Sequence, residues 1–380
     1  MSKLFSPYRL GGLELPNRLV VPPMCQYRAV EGVAQPWHLV QIGSLALSGA
    51  GLVIMEATAV ENVGRITHHC LSLYNDAHEA ALTQLIAQLR TVAPDCAYGI
   101  QLAHAGRKAS RDRHWNKRLQ IPVSEGGWET VGPSPIPFGP GWAAPRELDE
   151  AGLACVRQAF VRSTRRADRC GFDHVEVHAA HGYLLSSFLS PIANERTDRY
   201  GGSPEGRMRF PLEVIASMRA VWPASKAFGV RINATELDER GTQIQDAVAL
   251  AGELSKIGVD YVALSAGNAV PGRPHPPLVR GYQVGYSEQV RRESGAVTMA
   301  VGMILDAFQA EEILSCGKAD LIAVGRAFLD NPRWGWHAAN LLGAPNVYPK
   351  PHVSARPELW PGYAMLHSDY APITLSSLTT

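Results

Sequence analysis

DHVEVHAAHGYLLSSFLSPIANERTDRYGG, residues 173–202, begins like a short buried strand and continues into a polar cluster. The apolar alternation at 175–177 predicts the strand. His178, His181 and Tyr183 follow within six residues. A rigid strand that ends in polar side chains and a glycine often builds a binding site, because the loop turns those side chains into a cleft. Two imidazole N–H groups can bind one oxygen and a phenol can deliver a proton, so the stretch predicts a carbonyl-activating site.

The composition bounds the class of protein. The 380 residues are 46% hydrophobic and carry a formal net charge of +1, which supplies a full core and argues against a nucleic-acid partner. The N-terminus resembles no signal peptide and no run of eighteen apolar residues occurs, so we expect a cytoplasmic protein without a membrane partner. The six scattered cysteines form no C-x-x-C pair, which predicts neither a disulfide framework nor a zinc knuckle.

Short apolar runs alternate with amphipathic helical stretches along the chain. The predicted strands are Leu19–Val21, Leu52–Ala59, Ala97–His104, His174–Ala179, Ala227–Ala234, Tyr261–Ala266, Val297–Val301 and Leu321–Val324. The predicted helices are His38–Ser48, Ala77–Val92, Asp149–Cys170, Glu205–Val221, Gln243–Ile257, Tyr286–Glu293, Asp306–Ser315 and Pro332–Leu342. Eight strand–helix units predict an α/β protein, a closed (β/α)₈ TIM barrel. The rival is an open doubly wound sheet, but no G-x-G-x-x-G turn follows the first strand.

Two connections are too long for plain loops. Residues 107–146, after strand 3, are rich in Pro, Gly and Trp, and residues 267–285 follow strand 6. We expect both to be folded lids over the barrel mouth. Residues 344–380 form a Pro-rich tail, and no linker divides the chain, so we expect one domain spanning residues 1–380.

Barrel sites lie at the C-terminal ends of the strands. Gln101 and Arg231 occupy such ends, while Gly302 follows strand 7 and Gly325-Arg326 follows strand 8. Glycines let backbone N–H groups approach a phosphate and an arginine adds a bidentate fork. These strand ends predict a phosphorylated cofactor lying across the mouth.

Longer motifs carry a family resemblance over nearly the whole chain. They are PPMCQY (22–27), GAGLVIMEATAV (49–60), QLAHAGRKAS (101–110), HAAHGYLLSSFLSPIANERTDRYGGS (178–203), RMRFPLEV (207–214), RIN (231–233) and VGRAFLDNP (324–332). The chain resembles the Old Yellow Enzyme family of FMN-dependent ene-reductases, and more narrowly the thermophilic-like subclass that includes the xenobiotic reductases.

The resemblance implies a non-covalent FMN across the barrel top. Its phosphate would be held by Gly302, Gly325 and Arg326. Gln101 would meet the pyrimidine edge of the flavin, and Arg231 the N1/C2 side, where a cation stabilises the reduced flavin. The ring would be lined by Pro23, Met24 and Ala57, with the Cys25 thiol near the C4 carbonyl and N5.

The resemblance also implies a ping-pong reaction with NADPH or NADH as reductant. An α,β-unsaturated carbonyl compound would place its carbonyl oxygen on His178 and His181, and Tyr183 would protonate its α-carbon. Tyr27 would line the substrate side, and no metal is expected. We expect a homodimer or homotetramer in which Arg356 or Trp360 of the tail enters a neighbouring active site.

Other interpretations stay open from the residues alone. The two histidines could be metal ligands, Cys25 a buried apolar residue and Arg231 a core ion-pair partner. Alternative classes are a dienoyl-CoA reductase relative, a flavin-binding sensor and a metal-dependent barrel hydrolase. One departure from the family stands beside the tyrosine: many relatives have His-Gln where this chain has Ser186-Ser187.

Overall fold

Eight parallel strands close into one barrel in the computed structural model, which describes residues 2–116, 120–271, 279–346 and 348–366. The strands are β1 Leu19–Val21, β2 Leu52–Ala59, β3 Ala97–Ala103, β4 His174–Ala179, β5 Ala227–Thr235, β6 Tyr261–Ala266, β7 Thr298–Val301 and β8 Leu321–Ala323. Each strand pairs in parallel with the next in sequence, and β8 pairs with β1. The predicted (β/α)₈ barrel is therefore confirmed.

One main helix follows each strand. These helices are α1 Pro36–Ala46, α2 Asp76–Val92, α3 Glu150–Arg169, α4 Pro204–Arg219, α5 Ile244–Ile257, α6 Val284–Ser294, α7 Ala307–Ser315 and α8 Trp334–Leu341. Shorter helices are Leu184–Leu189, Arg326–Asp330 and Tyr363–Leu366. Helix α1 begins before the predicted His38, because Gln35 is the N-cap, whose backbone N–H donates to His38 Nδ1 at 2.9 Å, and Pro36 fits the first turn.

The barrel interior is filled at its N-terminal end. The antiparallel hairpin Tyr8–Leu10 and Leu13–Leu15 places Leu10 and Leu15 against buried strand residues, which include Leu52. A larger core packs between the helices and the outside of the barrel. Because the hairpin covers one end, a ligand has access to the barrel only at the opposite mouth.

The long connections hold little regular structure over residues 107–116, 120–146, 267–271 and 279–285. Within 107–146 the structure has 3₁₀ turns, His114–Asn116 and Val123–Glu125 among them, and a two-residue parallel pairing of Val131–Gly132 with Arg146–Glu147. Residues 272–278 of the second predicted lid and residues 367–380 of the tail lie outside the described residues. No helix in the described ranges is long and apolar enough to cross a membrane.

Candidate active site

The histidine turn, residues 178–183, leaves the C-terminal end of β4 at the open mouth. The His178 ring lies 5.1 Å from the His181 ring and 4.9 Å from the Tyr183 ring, measured between centroids, and stands nearly perpendicular to both. His181 has φ of +59°, in the left-handed region that non-glycine residues seldom adopt. The turn thus brings together the three side chains that the sequence singled out.

Both histidines of the turn are neutral proton donors. Burial lowers the pKa of His178 and His181 well below 6.5, and the nearby Arg231 cation lowers them further. The backbone N–H of Ala180 donates to His178 Nδ1 at 3.2 Å. Because a neutral imidazole carries one proton, His178 holds it on Nε2, and that nitrogen is free to donate to a ligand.

Three side chains fix the backbone of the histidine turn. Asn233 Oδ1 accepts the His181 N–H at 3.1 Å, Ser186 Oγ accepts the Gly182 N–H at 3.2 Å, and Ser187 Oγ donates to the Gly182 carbonyl at 3.1 Å. None of these three roles was predicted from the sequence. Asn233 stands two residues after Arg231, on the same face of a strand, and that spacing was the available signal.

An apolar cluster packs against Tyr183. Cys25, Tyr27 and Tyr183 pack against buried Ala57 and Cys70. Burial raises the pKa of both tyrosines, and burial followed by Glu56 raises the pKa of the Cys25 thiol. All three groups are therefore protonated at neutral pH, so Tyr183 can act as an acid and Cys25 is a thiol rather than a thiolate.

A buried carboxylate orients the polar groups deeper in the mouth. Gln101 Nε2 donates to Glu176 Oε1 at 2.7 Å, and the Tyr261 hydroxyl donates to Glu176 Oε2 at 2.6 Å. Arg231 Nε donates to Ser265 Oγ at 2.8 Å. Glu176 was not among the predicted site residues, although it precedes His178 by two positions and so shares its inward face.

The donor set at the mouth suits a flavin edge. Ser265 is the one described residue that receives a hydrogen bond from Arg231, so the terminal guanidinium nitrogens remain for a ligand. Gln101 keeps its carbonyl oxygen and one N–H, because Glu176 takes the other N–H. A fixed cation beside an amide donor and acceptor matches the polar edge of an isoalloxazine ring.

Glycines line the mouth where a phosphate would bind. Gly302 has φ of +112°, and a Cβ there would lie 2.4 Å from Gln283 Nε2. A Cβ at Gly325 would lie 3.6 Å from Met24 Sδ, so the ends of β8 and β1 adjoin. Arg326 begins a short helix and is exposed. This bare backbone beside an arginine suits the FMN phosphate.

The predicted residues fall into three groups at one mouth, one of which is Gln101 with Arg231. Direct packing joins the histidine turn to Cys25, Tyr27 and Ala57 through Tyr183. The glycines and Arg326 stand apart, at the ends of β7 and β8, and Pro23 is half-buried after β1. Within the described part of the chain, no group of three or more His, Cys, Asp or Glu side chains is arranged to hold a metal ion.

Comparisons with known proteins show the family of the chain. A model of the NADH:flavin oxidoreductase / NADH oxidase family matches residues 3–342. The chain is 42% identical over 342 residues to the NADPH dehydrogenase of Geobacillus thermodenitrificans, covering 90% of this chain and 94% of that one. It is 41% identical over 357 residues to the NADPH dehydrogenase of Listeria innocua, covering 93% and 99%. Morphinone reductase, a solved structure, is similar with a TM-score of 0.75 at 30% identity and 92% coverage of each chain.

Fold, site and comparisons define a class, the flavin oxidoreductases built on a (β/α)₈ barrel. The chain belongs to the NADH:flavin oxidoreductase / NADH oxidase family, and the resemblance drawn from its motifs is confirmed. It is an enzyme that uses FMN and a nicotinamide reductant.

Proposed function

We propose that this enzyme reduces the C=C bond of α,β-unsaturated carbonyl compounds with electrons from NADPH. The choice of NADPH is supported by the relatives, which are NADPH dehydrogenases. The choice of substrate is supported by one observation: two neutral histidine donors and a protonated tyrosine meet at one turn of the mouth. A carbonyl oxygen that gains negative charge needs such donors, and a carbanion at its α-carbon needs such an acid.

The side chains of this chain divide the work. His178 donates from Nε2, and His181 donates beside it, so that the substrate oxygen is held while negative charge builds on it. FMN, when bound, supplies the hydride that it has received from NADPH. Tyr183 donates its phenolic proton to the α-carbon and is reprotonated from solvent. One hydride and one proton thus add across the double bond, and NADPH becomes NADP⁺.

The remaining residues hold the cofactor in this proposal. Gly302, Gly325 and Arg326 bind the phosphate, while Gln101 and Arg231 bind the polar edge of the ring. Arg231 carries a fixed positive charge. Burial lowers the pKa of its guanidinium group, and the nearby Glu176 raises it. A cation at this edge favours the reduced, anionic ring and so favours acceptance of electrons from NADPH. Cys25 and Met24 line the same mouth.

Turnover of 2-cyclohexen-1-one tests the proposal. Under anaerobic conditions, we expect one molecule of cyclohexanone to form for each molecule of NADPH consumed. Cyclohexene is the matched control, because it offers the same double bond and no carbonyl oxygen for the two histidines. Absence of cyclohexanone, or equal turnover of cyclohexene, would contradict the proposal.

A further inference from the structure

Lys108 joins the histidine turn to the loop that follows β6. Its Nζ donates to the His181 carbonyl at 2.7 Å and to the Asn268 carbonyl at 2.8 Å. His181 and Asn268 are both left-handed, with φ of +59° and +65°. Non-glycine residues persist in that conformation only where their surroundings hold them. One ammonium group therefore binds the carbonyls of two strained residues on two separate loops.

The surroundings of Lys108 hold its side chain in a fixed place. The residue is 6% exposed, and its Nζ lies 4.5 Å from the Phe138 ring centroid and 5.1 Å from the Tyr183 ring centroid. Aromatic faces attract an ammonium group. No carboxylate of the described residues forms an ion pair with Lys108. Two carbonyls and two ring faces thus replace its water shell.

The two loops that Lys108 joins are packed without spare room. Gly182 has φ of +70°, and a Cβ there would lie 2.7 Å from the Asn268 carbonyl oxygen and 3.3 Å from Lys108 Cδ. A shift of Lys108 must therefore shift the histidine turn or the facing loop. The adjacent Arg107 reinforces the junction, because its Nη2 donates to the Ala269 carbonyl at 2.9 Å.

We propose that Lys108 is a positioning residue for alkene reduction, whose ammonium group holds the histidine turn in the left-handed form that aims His181 at the substrate carbonyl. The proposal deepens the proposed function and rests on it. Lys108 acts through His181 and through the ring of Tyr183, and contacts no substrate atom itself.

The geometry gives the reaction a pH dependence near neutrality. Burial, and then the Arg111 and Arg107 cations, lower the pKa of Lys108 to about 7. The other titratable groups that face it stay in one state between pH 6 and 9: His178 and His181 on the turn are neutral, Tyr183 is protonated, and Arg107 is charged. Phe138 and the Asn268 carbonyl carry no titratable group. As the pH rises, Lys108 therefore loses its charge while these neighbouring groups keep their protonation states, and its hydrogen bonds to the His181 and Asn268 carbonyls weaken.

The test measures one step, the reoxidation of chemically reduced holoenzyme by 2-cyclohexen-1-one. Reduction with dithionite keeps NADPH out of the experiment. For Lys108→Met, which keeps the aliphatic stem, we expect this rate at subsaturating enone to fall about ten- to a hundredfold with unchanged FMN content. The rate should fall less for Lys108→Gln, which keeps a neutral amide donor in place of the ammonium group. Lys226→Met is the matched control and should match wild type, because Lys226 pairs with Asp168 outside the mouth.

The pH profile separates positioning from a general packing role. In wild type the rate should fall about tenfold between pH 6 and pH 9 with one titration near pH 7, and both Lys108 variants should lack that titration. Lys108→Met with the wild-type rate and pH profile would overturn the inference. Reduced wild-type enzyme that the enone does not reoxidise would overturn the proposed function as well, so the two failures are distinct.

Discussion

Replacement of Tyr183 by Phe removes the acid and leaves the rest of the site. The Tyr183 hydroxyl makes no hydrogen bond to any residue that the structure describes, so its loss orphans no protein partner. The ring keeps its perpendicular contact with His178 at 4.9 Å and its place in the apolar cluster with Ala57. The variant should therefore fold and bind FMN like wild type.

The magnitude follows from the role of the hydroxyl. A positioned general acid contributes about 10²- to 10⁴-fold, which corresponds to about 2.7–5.4 kcal/mol of transition-state stabilisation. Tyr183 carries its proton throughout the neutral range, since burial raises its pKa. We expect Tyr183→Phe to slow flavin reoxidation by 2-cyclohexen-1-one by that factor and to leave flavin reduction by NADPH unchanged within about threefold.

Anaerobic stopped-flow absorbance near the flavin band measures both half-reactions on one sample. Replacement of the half-buried Tyr8, in the hairpin that covers the opposite end of the barrel, by Phe provides the control for loss of a phenol. Equal slowing of both half-reactions in Tyr183→Phe, or reoxidation at the wild-type rate, would refute the proton-donor assignment.

Two further predictions concern the cofactor site and the pH dependence of stability. Gly302→Ala should raise the Kd for FMN at least about tenfold, because the new Cβ would lie 2.4 Å from Gln283 Nε2. Gly295→Ala is the control and should leave the Kd unchanged, since Gly295 has φ of +73° and open space around it. Equal FMN binding by both variants would contradict the assignment of Gly302 to the phosphate site. Burial lowers the pKa of His174 to about 3, from 6.5 in the unfolded chain. Between these two pH values the unfolded chain therefore binds one more proton than the folded chain. The free energy of unfolding falls by up to about 1.4 kcal/mol per pH unit as the pH drops below 6.5. Urea unfolding at pH 7 and 5.5 should show a smaller fall for His174→Phe than for wild type, and an equal fall would contradict this assignment.

The barrel was predictable because its signals are local. Each strand is a short apolar run, and each main helix is a separate amphipathic stretch with its own caps, such as Asn75 before α2 and Ser203 before α4. Once the number of strands is eight, closure places every strand end at one mouth. His178 and Arg231, which lie in neighbouring strands and pair in register, could therefore be assigned to one site from sequence.

The groups that orient the site were not predictable in the same way. In the sequence, Glu176 lies within an apolar strand and nothing marks it as a site residue. It orients the site because β3 and β6 bring Gln101 and Tyr261 to its two carboxylate oxygens. Lys108 reads as one of several basic residues after β3, and its contacts come from residues 73 and 160 positions away in sequence. Partners so distant are set by barrel closure and loop packing, which no local pattern encodes.

The visible spectrum of the purified protein under anaerobic conditions tests the central claim most directly. We expect a yellow protein that loses its flavin absorbance on addition of NADPH and regains it on addition of 2-cyclohexen-1-one, with one enone consumed per flavin. A colourless protein that cannot be reconstituted with FMN, or a flavin that NADPH bleaches and the enone leaves reduced, would contradict it.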